Sequence, residues 1–223
     1  MVAEYVQRIS IWAIPILAAI VFHEVAHGWV AFRLGDPTAA RMGRLTLNPI
    51  SHIDLFGTVI LPLMLVIAHA PFLFGYAKPV PVNFQNLRNP KKDMVWVALA
   101  GPATNIILAF VSFLLIKILV TLDLPRDGSL VSTIVIPLIY MLRASASINI
   151  VLAVFNTFPI PPLDGGRVLV GLLPEPYSTT VARVEPYGFL IIVVLLMSHI
   201  LDAALSPLIR FVNWFLRLMV GLA

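Results

Sequence analysis

Long apolar runs, separated by short polar or proline-rich segments, dominate the chain. A helix needs roughly 20 apolar residues to cross a bilayer. Ile9 to Phe32 is long enough, although it contains His23, Glu24 and His27. Met94 to Ile116 carries no charge and is the cleanest span, Ser145 to Pro162 is uncharged and ends in a proline cluster, and Pro186 to Leu201 is slightly short. Two stretches are ambiguous. Phe56 to Phe74 is interrupted by Pro62 and Pro71, and Leu208 to Ala223 carries Arg210, Asn213 and Arg217 on one helical stripe, the pattern of an interfacial helix or a tilted final span. Arg8 and the small Ala18-Ala19 pair imitate a secretory signal, but cleavage there would sever a helix that continues through Glu24. The connection from Arg33 to Asp93 is far longer than ordinary loops, and such connections are usually functional.

Composition narrows the class. Of 223 residues, 60% are hydrophobic and 12% charged, and the mean hydropathy is +0.96. Soluble domains average about 45–50% apolar and about 25% charged, which excludes a soluble enzyme, a nucleic-acid-binding domain and a disordered tail. The net charge of +4 comes from 15 basic side chains among apolar runs, where they set membrane orientation rather than contact nucleic acid. With no cysteine, disulfides, thiolate zinc sites and thiol catalysis are excluded, so any metal must be held by His, Asp or Glu.

His23-Glu24-Val25-Ala26-His27 is an H-E-x-x-H motif inside an apolar helix. Positions i and i+4 share a helix face, so both imidazoles can reach one metal ion while Glu24 serves as general base. Ionisable groups within a span are expensive and default to functional readings; the bland alternative is a polar patch between helices. Catalytic zinc usually takes three protein ligands and a water. Candidates for the third are His52, Asp54, His69, Asp164, Glu175 and His199. Asp164 stands out because Pro159, Pro161, Pro162, Gly165 and Gly166 break the helix around it, and irregular backbone at membrane depth is tolerated only where it is buried or lines a wet cavity. Asp164 could equally cap the following helix, and Asp54 and His52 remain open. His69 and His199, lone histidines in apolar runs, read as structural.

With these motifs in hand, the sequence resembles the site-2 protease family of intramembrane zinc metalloproteases, in its compact prokaryotic form without a PDZ or nucleotide-sensing (CBS) domain. That family pairs H-E-x-x-H with a later N-x-x-P…L-D-G, matched here by His23 to His27 and Asn156 to Gly165, and carries G-P-x-x-N in a middle helix, matched by Gly101 to Asn105. Arg44 to Pro49 and Lys78 to Asn83 look like its linking segments, and Leu55 follows Asp54 where the family has proline. The resemblance implies one zinc per chain on His23, His27 and Asp164, with Glu24 as base. It also suggests Asn105 or Asn156 as hydrogen-bond donors to substrate backbone or oxyanion; interhelical packing beside Gly101 is the alternative for Asn105. The whole of 1–223 reads as one protease domain, with a catalytic core over about 10–170 and C-terminal helices over about 186–223.

The expected fold is an all-α polytopic bundle of about four to six transmembrane helices with a re-entrant segment and a short membrane-associated β element. The β element falls at Lys78, Pro79, Val80, Pro81, Val82 and Asn83, where alternating prolines forbid helix and an edge strand could pair with an extended substrate; a proline-rich surface turn is the alternative. Phe56 to Phe74 is expected to dip in and return. Then Arg33, Arg41, Arg44, Lys78, Arg88, Lys91 and Lys92 share the cytoplasmic side, while Thr121 to Leu130, with one Arg and two Asp, falls outside. The expected function is an endopeptidase cutting other membrane proteins in or near their spanning helices, in a prokaryotic inner membrane with the active site nearer the cytoplasmic face. A zinc or other metal transporter using the same ligands is the alternative, against which Glu24 beside one tight ligand cluster argues.

Overall fold

The computed structural model describes residues 2–69, 75–122 and 131–222. In chain order the helices are α1 (Val2–Arg33), α2 (Thr38–Arg41), α3 (Leu61–Ile67), α4 (Pro90–Thr121), α5 (Ile136–Asn156), α6 (Asp164–Leu172), α7 (Tyr177–Ala182), α8 (Glu185–Met197) and α9 (Ile200–Met219). By length and composition, three helical stretches among the described residues can cross a membrane: Ser10–Arg33, Pro90–Thr121 and Thr133–Asn156. A fourth is reached if α8 and α9, which meet at 82°, count as one broken span.

Local chemistry sets the ends of these elements. Gly35, at φ +116°, stops α1 and lets the Asp36 amide reach back to the Ala31 carbonyl at 2.9 Å. Pro90 opens α4 where its missing N–H costs nothing, and Asp93 accepts the Asn89 amide at 2.8 Å. Past Asn156, Pro159, Pro161 and Pro162 cannot continue α5, and the chain turns before α6 begins at Asp164.

The long α4 lies at the centre, packed against α1, α5 and α6. Ala109, Phe113 and Ile116 of α4, Ala146, Ile150 and Val154 of α5, and Leu201, Leu205 and Leu216 of α9 form one apolar core. Outside it, Trp12, Trp29, Trp96, Leu115 and Trp214 are exposed, an apolar exterior suited to lipid rather than water.

Several expectations are corrected. Among the described residues there are three spans, or four with the bent pair, so the expected four to six is met at its lower end only if that pair is one span. The third begins well before Ser145, because Arg143 is exposed on the helix surface and does not interrupt it. The last helix starts at Ile200 rather than Leu208. Among the described residues there is no strand, so the β element expected at Lys78–Asn83 is not formed; the segment is extended, but Pro79 and Pro81 have no N–H to give a ladder. Of Phe56 to Phe74, the part up to His69 is a π turn (Leu55–Ile60) running into α3, and residues 70–74 lie outside the described residues, as does most of the Thr121 to Leu130 loop. From Tyr76 the chain is back beside Gly57 and His52: Tyr76 N donates to Gly57 O at 3.0 Å and Lys78 N to His52 O at 2.9 Å.

Candidate metal centre

His23 and His27 lie one turn apart on the buried face of α1, with their Nε2 atoms 3.0 Å apart. Neither Nδ1 is free. His23 Nδ1 lies 2.6 Å from Asn105 Oδ1, and His27 Nδ1 lies 2.7 Å from the Val97 carbonyl. A main-chain carbonyl only accepts, so His27 Nδ1 carries its proton and Nε2 presents a lone pair. Asp164 Oδ2 completes the group at 3.2 Å from each Nε2, buried and without a hydrogen-bond partner. Two imidazole lone pairs and a carboxylate oxygen facing one point repel one another unless a cation stands between them. Two nitrogens and one oxygen, with each histidine held through its other nitrogen, are the donor set of a catalytic zinc site. Among the described residues this is the one cluster of three His or acidic groups disposed to hold a metal.

The rest of the fold is shaped around these rings. A methyl group on Gly101 would collide with Nε2 of both histidines, so only glycine lets α4 pass this close. Asn105, one turn further along α4, is thereby brought to His23. On the other side, a Cβ at Gly165 would strike the Thr157 carbonyl and one at Gly166 the Pro161 nitrogen, so the glycine pair lets α6 start against the proline break. Leu163, the N-cap of α6, has no side-chain capping bond to offer; Asp164, the first residue of the helix, is turned to the histidines.

Glu24, half-buried, lines a cavity of about 420 Å³ with His23, His27, Asp164 and Asn156. The opposite wall is the extended segment: Gly75, Tyr76, Ala77, Pro79, Val80 and Val82 face the cavity, whereas Lys78 and Pro81 do not line it. Val80 is buried and donates its N–H to Glu24 Oε2 at 2.9 Å. Arg44 anchors the segment from behind, donating from Nη2 to the Lys78 carbonyl at 3.1 Å and the Pro79 carbonyl at 3.4 Å.

The other candidates lie elsewhere. His52 is buried with Nε2 on the Thr46 carbonyl, Asp54 caps the turn at Leu55 by accepting the Gly57 amide at 2.7 Å, and Glu175 pairs with Lys91 at 3.6 Å. His69 is exposed, and His199 is exposed beside Asp202. Asn105 is fully buried with its amide engaged, and does not reach the cavity. Missed at the sequence level was Asn149, buried and hydrogen-bonded to Asn105; its one signal was an amide in an otherwise apolar helix.

The helices and this donor set define a membrane-embedded metalloenzyme. The model of peptidase family M50 matches residues 11–134 and 126–199. The protein named Putative zinc metalloprotease YwhC, from Bacillus subtilis strain 168, is 36% identical over 197 residues, 88% of this chain and 84% of the relative. Putative zinc metalloprotease Rip2 of Mycolicibacterium smegmatis is 30% identical over 199 residues, 89% of this chain and 70% of the relative. Zinc metalloprotease MJ0392 of Methanocaldococcus jannaschii is 23% identical over 170 residues, 75% of this chain and 36% of the relative. No solved structure matches the chain. The chain belongs to peptidase family M50, the site-2 protease family, and is a zinc metalloprotease.

Proposed function

We propose that this protein is an intramembrane endopeptidase with one zinc per chain, held by His23, His27 and Asp164, and with Glu24 as its general base. The observation that carries the reading is the shared cavity, in which Glu24 and the three donor groups face an extended backbone segment. When bound, zinc polarises the scissile carbonyl and lowers the pKa of water to about 7. Glu24 takes the proton of the attacking water and delivers it to the leaving amine nitrogen. Asn156 lines the cavity; one N–H of its Nδ2 goes to the Leu152 carbonyl at 3.0 Å, and the other, with Oδ1, serves the substrate backbone or oxyanion, whereas Asn105 serves His23. Ala77 to Val82 lies beside the centre as a surface against which an unwound substrate segment is laid. The substrate is a membrane protein with a transmembrane helix, and 1–223 acts as a single protease domain. The return of Tyr76 and Lys78 to Gly57 and His52 supports a re-entrant Phe56 to Phe74; the basic residues from Arg33 to Lys92 then share one side, which the charge bias of membrane proteins makes the cytoplasmic one, and the site lies nearer that face of a prokaryotic inner membrane. No observation favours the transporter.

Reconstitution with a model membrane-protein substrate tests the proposal. Glu24→Gln is expected to keep its zinc yet lose cleavage by at least about 100-fold. Normal cleavage by this variant would remove Glu24 as the base, and zinc flux into liposomes by a parent that cuts no substrate would favour transport.

A further inference from the structure

Behind His23 runs a chain of buried amides with a fixed direction. Asn149 Nδ2 donates to the Ser145 main-chain carbonyl at 2.8 Å. Because that carbonyl only accepts, the other end of the side chain, Oδ1, must be the atom turned to α4. There it accepts from Asn105 Nδ2 at 2.7 Å. A second carbonyl, that of Ala19 on α1, also takes Asn105 Nδ2, at 3.2 Å. Asn105 Oδ1 is therefore the atom left facing His23 Nδ1, at 2.6 Å. An acceptor at that point requires a proton on His23 Nδ1 and leaves the lone pair on Nε2, toward His27 and Asp164. Asn105 and Asn149 are 0% and 1% exposed, so water cannot substitute for either partner.

We infer that Asn149, on α5 and two hydrogen bonds away from the metal donor His23, is a positioning residue that sets the tautomer and ring orientation of His23 through Asn105. Interhelical adhesion alone would be served by either orientation of the two amides. Here two main-chain carbonyls, on α5 and α1, admit only one. Partners behind a metal-bound histidine commonly matter by 10–100-fold in affinity, and here the partner's own orientation is set one step further back. The inference rests on the zinc-site reading of His23, His27 and Asp164.

The test is zinc affinity by chelator competition in detergent, together with the visible spectrum of the cobalt-substituted protein. Asn149→Leu removes the 2.7 Å acceptor and leaves the longer contact to the Ala19 carbonyl, at 3.2 Å, as the one restraint on the Asn105 amide; zinc affinity is expected to fall by about 10–100-fold and the cobalt bands to shift. Asn149→Asp supplies the rescue, because a buried carboxylic acid keeps its proton and both donates to Ser145 and accepts from Asn105. It is expected to stay within a few-fold of the parent by the same reasoning. Parental affinity and an unchanged cobalt spectrum in Asn149→Leu would overturn the role of Asn149 while leaving the metal centre standing. Equal loss in both variants would also overturn it, as a packing effect. Failure of the parent to bind either metal would overturn the zinc reading itself, together with this inference.

Discussion

Val80 donates its backbone N–H to the Glu24 carboxylate at 2.9 Å. Pro79 and Pro81 on either side have no N–H, so this is the only main-chain donor of the three residues, and it is directed at the proposed base. The side chain is held as well. Gly28, one turn beyond Glu24, makes room for it, since a Cβ there would approach Val80 Cγ1 and Leu45 Cδ2 to 2.6 Å.

Gly28→Val is therefore expected to push the segment away from α1 without touching a metal donor. Displacement of a positioning element by an ångström costs up to about 100-fold in rate, so cleavage should fall on that scale while zinc content stays at the parental level. Steady-state kinetics alongside elemental analysis check this. Loss of zinc together with activity would show that the segment supports the donors rather than the substrate.

Asp164→Ala removes one of the three proposed ligands, and zinc content should fall well below that of the parent under equal dialysis. Chelator treatment of the parent should abolish cleavage, and added zinc should restore it. Undiminished affinity in the variant would remove Asp164 from the site.

At Gly101 the forecast is steric. Gly101→Ala places a methyl group against both Nε2 atoms, and overpacking of this kind costs about 1–3 kcal/mol. Zinc affinity should fall as the rings are pushed apart, even though no ligand has been altered. Chelator competition and thermal unfolding with and without zinc separate the two effects.

Asp36 gives a pH-dependent test outside the spans. It is fully buried and accepts the Thr38 amide and hydroxyl, the Asn83 amide at 2.7 Å and the Asn86 side chain at 2.9 Å, tying the end of α1 to the segment before α4. Burial alone would raise its pKa, but hydrogen bonds from Thr38, Asn86 and Asn83 outweigh this and hold the carboxyl below its ordinary value of 3.8. A folded pKa below the unfolded one adds stability that is fully present above the unfolded value and is lost as the pH falls through the folded one. Asp36→Asn should lower stability by about 1–3 kcal/mol at neutral pH, and the difference from the parent should shrink below 3.8. Thermal unfolding across that range checks the sign.

Topology is open to direct labelling in this cysteine-free chain. Single cysteines at Arg41 and Arg88 are expected to react from the same side of the membrane. Labelling from opposite sides would make Phe56 to Phe74 a full span and end the re-entrant proposal.

The H-E-x-x-H face, the long α1 and α4, and the proline break ahead of Asp164 were legible in the sequence because they depend on short-range geometry: helical periodicity, the missing N–H of proline, and the length of an apolar run. Local pattern also misled where it stood alone. It started the third span late by confining it to the uncharged stretch from Ser145, which lies beyond Arg143, and it expected a strand from the alternation at Lys78–Asn83 although two of those residues cannot join a ladder. Which of several acids and histidines faces His23 and His27 was decided only by tertiary structure, because Asp164 lies far along the chain from them and reaches them through the close approach of α4 at Gly101 and of α6 at Gly165 and Gly166. The same holds for Asn105, whose amide could have faced substrate until Asn149 and two main-chain carbonyls turned it to His23. Spacing along a helix determines which side chains share a face; which partner that face meets depends on the packing register of distant helices, and no local pattern carries that register.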